Sequence, residues 1–376
     1  MSLSDAERLL WLQLIRSDNV GPKTFQILLD RYGSAERALT MLPELAKKGG
    51  KRAFKTAGRD AVERERDAVL NFGGTLIALP DPDYPALLRA IDDPPPVIAA
   101  KGALHLLGTP MVAIVGARDA SAAARTFAHD LAHTLGEAGL GVVSGLARGV
   151  DRAAHVGSLK SGTVAVMAGG IDKLYPRDNQ DLYDRIQAEG VLVSETEFGI
   201  TAQARHFPKR NRLVSGMAMG TVVVEATERS GSLITARMAR EQNREVMAVP
   251  GFPTEARARG TNALIRDGAT LVESARDVID AIGPNLRKPL EEPPAPYRGK
   301  ADPPEDPAEG ELAGFRPQLL EILGPTSLDR DTLQRRLGCS AAVLSVLLLE
   351  LELAGKIASS PGNRVSLIST DTELPI

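Results

Sequence analysis

The sequence predicts an α/β protein: a doubly wound, largely parallel sheet, with a helical domain before it and a second small domain after it. Three observations predict this. Apolar runs recur at Val112–Val115, Gly141–Val143, Thr163–Met167, Val191–Val193, Thr221–Val224 and Val246–Val249. Most of the segments between them are long enough for a helix, and short, nearly continuous apolar strands alternating with helices form parallel sheets covered on both faces. Residues 4–46 carry helical spacing and no strand pattern, and a Pro-rich acidic stretch at 284–311 precedes three further helical segments.

Taken in order, Leu9, Leu10, Leu12, Leu14 and Ile15 supply one apolar helix face. Val20-Gly21-Pro22-Lys23 is a tight turn whose proline starts the next helix, and Tyr32-Gly33-Ser34 ends that helix and caps a third. This is the pattern of a helix-hairpin-helix or SAM-like module, whose turn amides approach a DNA phosphate; a plain helical packing domain fits the same residues. A basic loop at Lys47–Lys55, a charged helix at Arg59–Phe72, a strand at Thr75–Leu79 and an extended connector forced by Pro94-Pro95-Pro96 lead into the repeating region. That region ends in a small strand at Ala269–Val272 and a helix at Ser274–Ile282. The expected domains are therefore 1–70, 71–283 and 312–376. The linker between the last two, 284–311, holds eight prolines and seven acidic residues against four basic ones. Arg316–Leu323, Asp331–Leu337 and Ser340–Ala354 with a hairpin over 355–367 make the winged-helix pattern, in which Ser340–Ser345 open the recognition helix. Basic residues are scattered there, so protein contact and DNA binding both stay open.

The 376 residues carry a net charge of −3, so any nucleic-acid binding must come from a local patch. Cys339 is the single cysteine, which excludes an internal disulfide and a multi-cysteine zinc site. With no secretory signal pattern and no apolar run of membrane-spanning length, the expectation is a soluble, cytoplasmic protein.

The densest local patch is Arg205-His206-Phe207-Pro208-Lys209-Arg210-Asn211-Arg212, four permanent cations and one aromatic with no acid in the run. It lies between two core strands, not on a tail. In open α/β sheets, ligands sit outside the carboxyl ends of the strands. Here those ends carry Gly116-Ala117-Arg118, Ser144–Asp151, Gly169-Gly170, Ser194-Glu195 and Glu225 leading to Ser230-Gly231-Ser232. Small residues admit a close ligand, and helix N-termini bind anions. No G-x-G-x-x-G follows the first core strand, and Gly157–Thr163 has P-loop spacing without its lysine, so dinucleotide and ATPase sites are rejected. His129 and His133 lie one turn apart but lack a third ligand. Asp151 and His155 share a helix face; they read as an acid–base pair or as a structural carboxylate and imidazole.

Together these motifs resemble the DNA-processing protein A family (DprA, also called Smf). The matching pieces run from Tyr84-Pro85 and Lys101-Gly102 through Val115–Arg118, Ser144–Asp151 with His155, and Tyr175–Asn179. They continue through Ser194-Glu195, Phe207–Arg212, Val224–Ala226, Ser230–Ala236 and Pro250-Gly251, within residues 75–283. The resemblance implies an extended Rossmann-like domain that binds single-stranded DNA without catalysis or cofactor, dimerises through that domain, protects incoming strands in natural transformation and loads the RecA recombinase. The implied DNA-binding residues are Gly116, Arg118, Ser144, Gly145, Arg177, Asn179, Phe207, Lys209, Arg210, Asn211 and Arg212. One departure is Ala117, where the family usually has Ser or Thr. The alternative is a nucleoside-monophosphate phosphoribohydrolase-like enzyme, with Ser230–Thr235 on a ribose phosphate and Glu225 or Asp151 as acid–base.

Overall fold

In a computed structural model of the chain, residues 2–51, 53–286, 307, 309–360 and 363–368 are described. The linker expected at 284–311 lies mostly outside them. Three helices come first, α1 (Asp5–Ile15), α2 (Pro22–Tyr32) and α3 (Ala35–Lys48). Next are α4 (Arg59–Asn71), β1 (Thr75–Ala78), α5 (Ala86–Arg89) and β2 (Val97–Gly102). Strands and helices then alternate: β3 (Met111–Val115), α6 (Ala122–Glu137), β4 (Gly141–Ser144), α7 (Val150–Ser158), β5 (Thr163–Val166), α8 (Gln180–Glu189), β6 (Val191–Ser194) and α9 (His206–Gly216). The series closes with β7 (Gly220–Val223), α10 (Gly231–Glu241), β8 (Glu245–Ala248), α11 (Arg259–Arg266), β9 (Thr270–Leu271) and α12 (Ala275–Leu286). The last elements are α13 (Glu309–Ile322), β10 (Leu328–Asp329), α14 (Arg330–Leu337), α15 (Ala341–Leu353), β11 (Ile357–Ser360) and β12 (Arg364–Leu367). The chain divides into two compact units, Met1–Leu3 with Arg64–Pro296, and Ser4–Glu63 with Tyr297–Ile376.

The first unit is a nine-stranded sheet ordered β1-β2-β6-β5-β4-β3-β7-β8-β9. From β6 to β9 all neighbours are parallel, while β2 pairs antiparallel with both β6 and β1. Each core strand is buried on both faces. In β3, Met111, Ala113 and Val115 join the layer that holds Leu213 and Val214 of α9, whereas Val112 and Ile114 meet Ala128, Leu131 and Leu135 of α6. That two-residue alternation makes the sheet doubly covered. Each fully buried branched side chain there contributes about 1.5–3 kcal/mol. The strand order reverses at β3, between β4 and β7, which is where such sheets bind ligands. Strand β2 was not expected: the residues after Pro94-Pro95-Pro96 read as connector, yet Val97–Ala100 are buried in the sheet. Gly102 lets β2 lie against β6, since a Cβ there would come within 2.1 Å of the Gly190 carbonyl oxygen.

In the second unit the N-terminal helices and the winged-helix fold share one body. Helix α15 is apolar nearly all round, the mark of a helix buried on every side. Leu344, Leu347 and Leu348 join the winged-helix core, and Leu349 and Leu353 join Leu42 and Leu45 of α3. Gly49 permits this approach, because a Cβ there would sit 2.0 Å from the Glu350 carbonyl oxygen. Arg316 donates to both carboxylate oxygens of the buried Glu350 at 2.8 and 2.9 Å. At the Val20–Lys23 turn, Val20 is buried and Asn19 just ahead donates to the Leu353 carbonyl at 2.8 Å, while Gly21 has open space around its Cα. The recognition-helix position is filled by a helix that leaves only Ala341, Ala342 and Ser345 exposed, none of them basic.

Candidate nucleic-acid interface

The Arg205–Arg212 patch is the cap and about the first two turns of α9. Helical periodicity divides it. Arg205, Pro208 and Lys209 are exposed, His206, Phe207 and Asn211 are half-buried, and Arg210 and Arg212 are buried. No acidic residue lies in the first turn, and no side chain caps the helix. Cations at a helix N-terminus oppose the helix dipole, each at a cost of a few tenths to about 1 kcal/mol. Burial and the neighbouring Arg205 and Lys209 hold His206 below its ordinary pKa. The electrostatics of this turn favour an anion.

Phe207 completes a small recess over the ends of β3, β4 and β5. The Arg118 guanidinium lies 5.3 Å from its ring centroid, and Tyr175 meets it edge-on at 5.5 Å. Arg148, Gly145, Ala147 and Arg210 close the recess. Its volume is about 30 Å³, so a phosphate oxygen or a base edge enters while a nucleotide lies across the rim. Arg118 is exposed, and Tyr175 is 50% exposed.

The floor is a buried network. Gly145 is required here because its Cβ would fall 1.5 Å from Arg210 Nη1. Arg210 donates from that nitrogen to the Val166 carbonyl at 3.1 Å. Asp151 accepts from the backbone N–H groups of Gly145 and Ala147 at 3.1 and 3.3 Å. Burial raises its pKa, and the Arg210 charge partly offsets that. His155 accepts from the Leu146 N–H through Nε2 and faces Thr163 Oγ1 at 2.7 Å through Nδ1, which therefore carries the proton. Burial, then Arg210, lowers its pKa to about 3. The imidazole is neutral at pH 7, and the carboxylate is occupied. This is the structural reading of the Asp151–His155 pair.

The expected site residues thus separate. Arg118, Phe207 and Gly145 line the recess. Lys209 and Asn211 share the same turn of α9, the first exposed and the second half-buried. Arg177 is exposed in the 3₁₀ turn Arg177–Asn179 but does not line the recess. Four of the expected polar side chains are buried. Ser144 is fully buried and donates to the Ile114 carbonyl at 2.7 Å. Asn179 is 1% exposed and holds the Leu146 and Ala147 carbonyls at 2.9 and 3.2 Å. Arg210 lies in the floor and not on the surface. Arg212 is paired with Glu195 and Asp93. Gly116 serves packing, since a Cβ there would meet Val150 at 2.6 Å. Tyr175 and Arg148 had not been singled out as site residues; the signals for them were their place in strand-end loops and in the family-like motifs Tyr175–Asn179 and Ser144–Asp151.

Glu225 is 8% exposed and accepts from the Ser121 N–H at 2.9 Å, while Ser232 and Thr235 are buried. Among the described residues no helix is long and apolar enough to cross a membrane.

With this geometry in place, the chain was compared with known proteins. A family model of DNA recombination-mediator protein A matches residues 75–283; a DprA-like N-terminal HHH domain matches 5–68, and a DprA winged helix domain matches 303–363. Protein Smf of Escherichia coli (strain K12) is 36% identical over 291 residues, which is 76% of this chain and 75% of that protein. The crystal structure of DNA processing protein A from Streptococcus pneumoniae matches with a TM-score of 0.61 and 33% identity, over 74% of this chain and 98% of that one. DNA processing protein A from Helicobacter pylori, whose structure concerns its single-stranded DNA binding mode, matches with a TM-score of 0.50 and 29% identity, over 54% and 93%. The chain belongs to the DNA processing protein A (DprA/Smf) family.

Proposed function

We propose that this chain binds single-stranded DNA without sequence preference, protects it, and loads the RecA recombinase onto it in natural transformation and recombination, acting as a homodimer through its Rossmann-like unit. The observation that carries the binding step is the exposed Arg118 guanidinium over Phe207, with Tyr175 edge-on, at the carboxyl edge of the sheet. A cation beside an aromatic face suits one phosphate and the base attached to it. Stacking contributes about 1–3 kcal/mol per base and tolerates any base. Lys209, exposed on the same turn of α9, adds a second cation. Membership of the family, and the single-stranded DNA binding of the Helicobacter pylori relative, support the same reading.

The reading is non-catalytic. The candidate acid–base groups Asp151 and His155 are buried and hydrogen-bonded, and Glu225 is engaged by Ser121. A phosphoribohydrolase needs one of them free. Free base released from nucleoside monophosphates would revive that alternative.

The direct test is fluorescence anisotropy with single- and double-stranded oligonucleotides of mixed sequence. Preferential binding of the single strand, independent of sequence, is expected; equal affinity for duplex would overturn the assignment. Stimulated RecA filament formation on coated single strands tests the loading step, and sedimentation at micromolar concentration tests the dimer.

A further inference from the structure

Beside the recess, on the other side of Arg118 and Arg148, lies a larger cavity of about 770 Å³ between the N-terminal ends of α6 and α7 and the loop after β8. Arg118 and Arg148 line both, so recess and cavity are neighbours across these two side chains. Arg125 of α6, Arg152 of α7 and Arg257 from the loop after β8 complete a set of five arginines, opposed by Asp119 and Asp178 alone among the lining acids. Arg152 and Arg148 have work within the fold. Arg152 pairs with Asp181 at 2.7 Å and donates to Asn179, and Arg148 lies 3.7 Å from Asp178. The Arg125 and Arg257 side chains are exposed, and of Arg257 only the backbone carbonyl is engaged across the fold, by the Ala226 N–H at 2.9 Å. The start of α7 is pressed onto the loop after β3, where a Cβ on Gly149 would fall 2.2 Å from the Ala117 carbonyl oxygen. The lining holds no Phe, Tyr or Trp; its one ring is the His129 imidazole.

We propose that this cavity is the second segment of the strand's path: the nucleic-acid backbone leaves the Arg118–Phe207 recess past Arg148 and lays successive phosphates against Arg125 and Arg257. This rests on the single-stranded DNA reading of the recess and extends it. The two segments differ in chemistry. The recess holds a phosphate and stacks a base, whereas the cavity neutralises phosphates only, so its contribution is salt-dependent and indifferent to the base. A cavity of this size matches small-molecule sites and takes a short run of nucleotides.

The test compares oligo-dT of about 6 and about 20 nucleotides, lengths that bracket single-strand site sizes. The full-length protein is compared with its Arg125→Ala/Arg257→Ala variant. Both side chains are exposed, so folding is not at stake, and unchanged thermal unfolding checks this. The proposal expects the variant to lose about tenfold or more in affinity for the long oligonucleotide at moderate salt. Its salt slope should fall by about 1.4, two contacts at about 0.7 each. Binding of the short one should stay as in the wild type. Equal long-oligonucleotide affinity and slope in variant and wild type would overturn it. Inorganic triphosphate bound in the cavity and undisturbed by saturating long oligonucleotide would also overturn it, because the cavity would then serve a free anion. Failure of the wild type to bind either oligonucleotide is a different result: it would refute the reading of the recess itself.

Discussion

Lys209 and Arg210 are neighbours in sequence, yet one is exposed on the turn of α9 that carries Phe207 and the other lies in the floor of the recess. The rim, with Arg118, Tyr175 and Phe207 and the exposed Lys209 beside them on α9, presents its cations to solvent. The floor, with Arg210, Asp151, His155 and Asn179, uses the same residue types to hold together the loops after β4 and β5. Burial is what separates the two. An exposed arginine contributes to binding and hardly to folding. A buried one beside a buried carboxylate contributes to folding, because removing it strands the opposite charge. Residue type at the motif is thus a poor guide to role, and the side of α9 is a good one.

The sharpest way to break this contrast is Arg210→Ala. It leaves Asp151 buried without its cation and the Val166 carbonyl without its donor. A stability loss of about 3 kcal/mol is expected, read as a clear drop in thermal unfolding temperature. Arg118→Ala should leave that temperature unchanged. If the two variants unfold alike, the division into rim and floor fails. Phe207→Ala comes next. It should weaken single-strand binding by about tenfold without altering the salt slope, since stacking releases no counterions. A reduced slope would mean that Phe207 acts by placing Arg118.

The effect that is smallest near neutral pH, and grows on acidification, is that of His155. His155 titrates at about 3 in the fold and near 6.5 in an unfolded chain, so the unfolded state binds the extra proton between those values. Its contribution is fully present above pH 6.5 and is lost as pH falls toward 3, at about 1.4 kcal/mol per pH unit. His155→Gln should flatten the pH dependence of stability in that window relative to the wild type. An unchanged slope would show that the imidazole is not held neutral.

The parallel strands were legible because Val112–Val115 and its counterparts are apolar on both sides, which only a doubly covered sheet explains. Strand β2 was not, because Pro94-Pro95-Pro96 announces an extended chain and says nothing of what it pairs with. The loops of the site were legible as strand ends, and Arg118 with Phe207 as a cation and an aromatic among them. The inward turn of Ser144 and Asn179 was not, and the sequence left open which of Lys209, Arg210 and Arg212 turns inward, since each depends on partners distant in sequence: Ile114, Leu146, Val166 and Glu195. The burial of α15 was written in its run of leucines, but its cover by α3 was not, because that contact joins opposite ends of the chain.

The central claim is that the exposed rim neutralises the phosphates of a single strand. It is tested most directly by the salt dependence of oligo-dT binding for the wild type and the Arg118→Ala/Lys209→Ala variant. Two lost phosphate contacts predict a large loss of affinity at moderate salt and a slope of log affinity against log salt reduced by about 1.4. An affinity and slope equal to those of the wild type would contradict it.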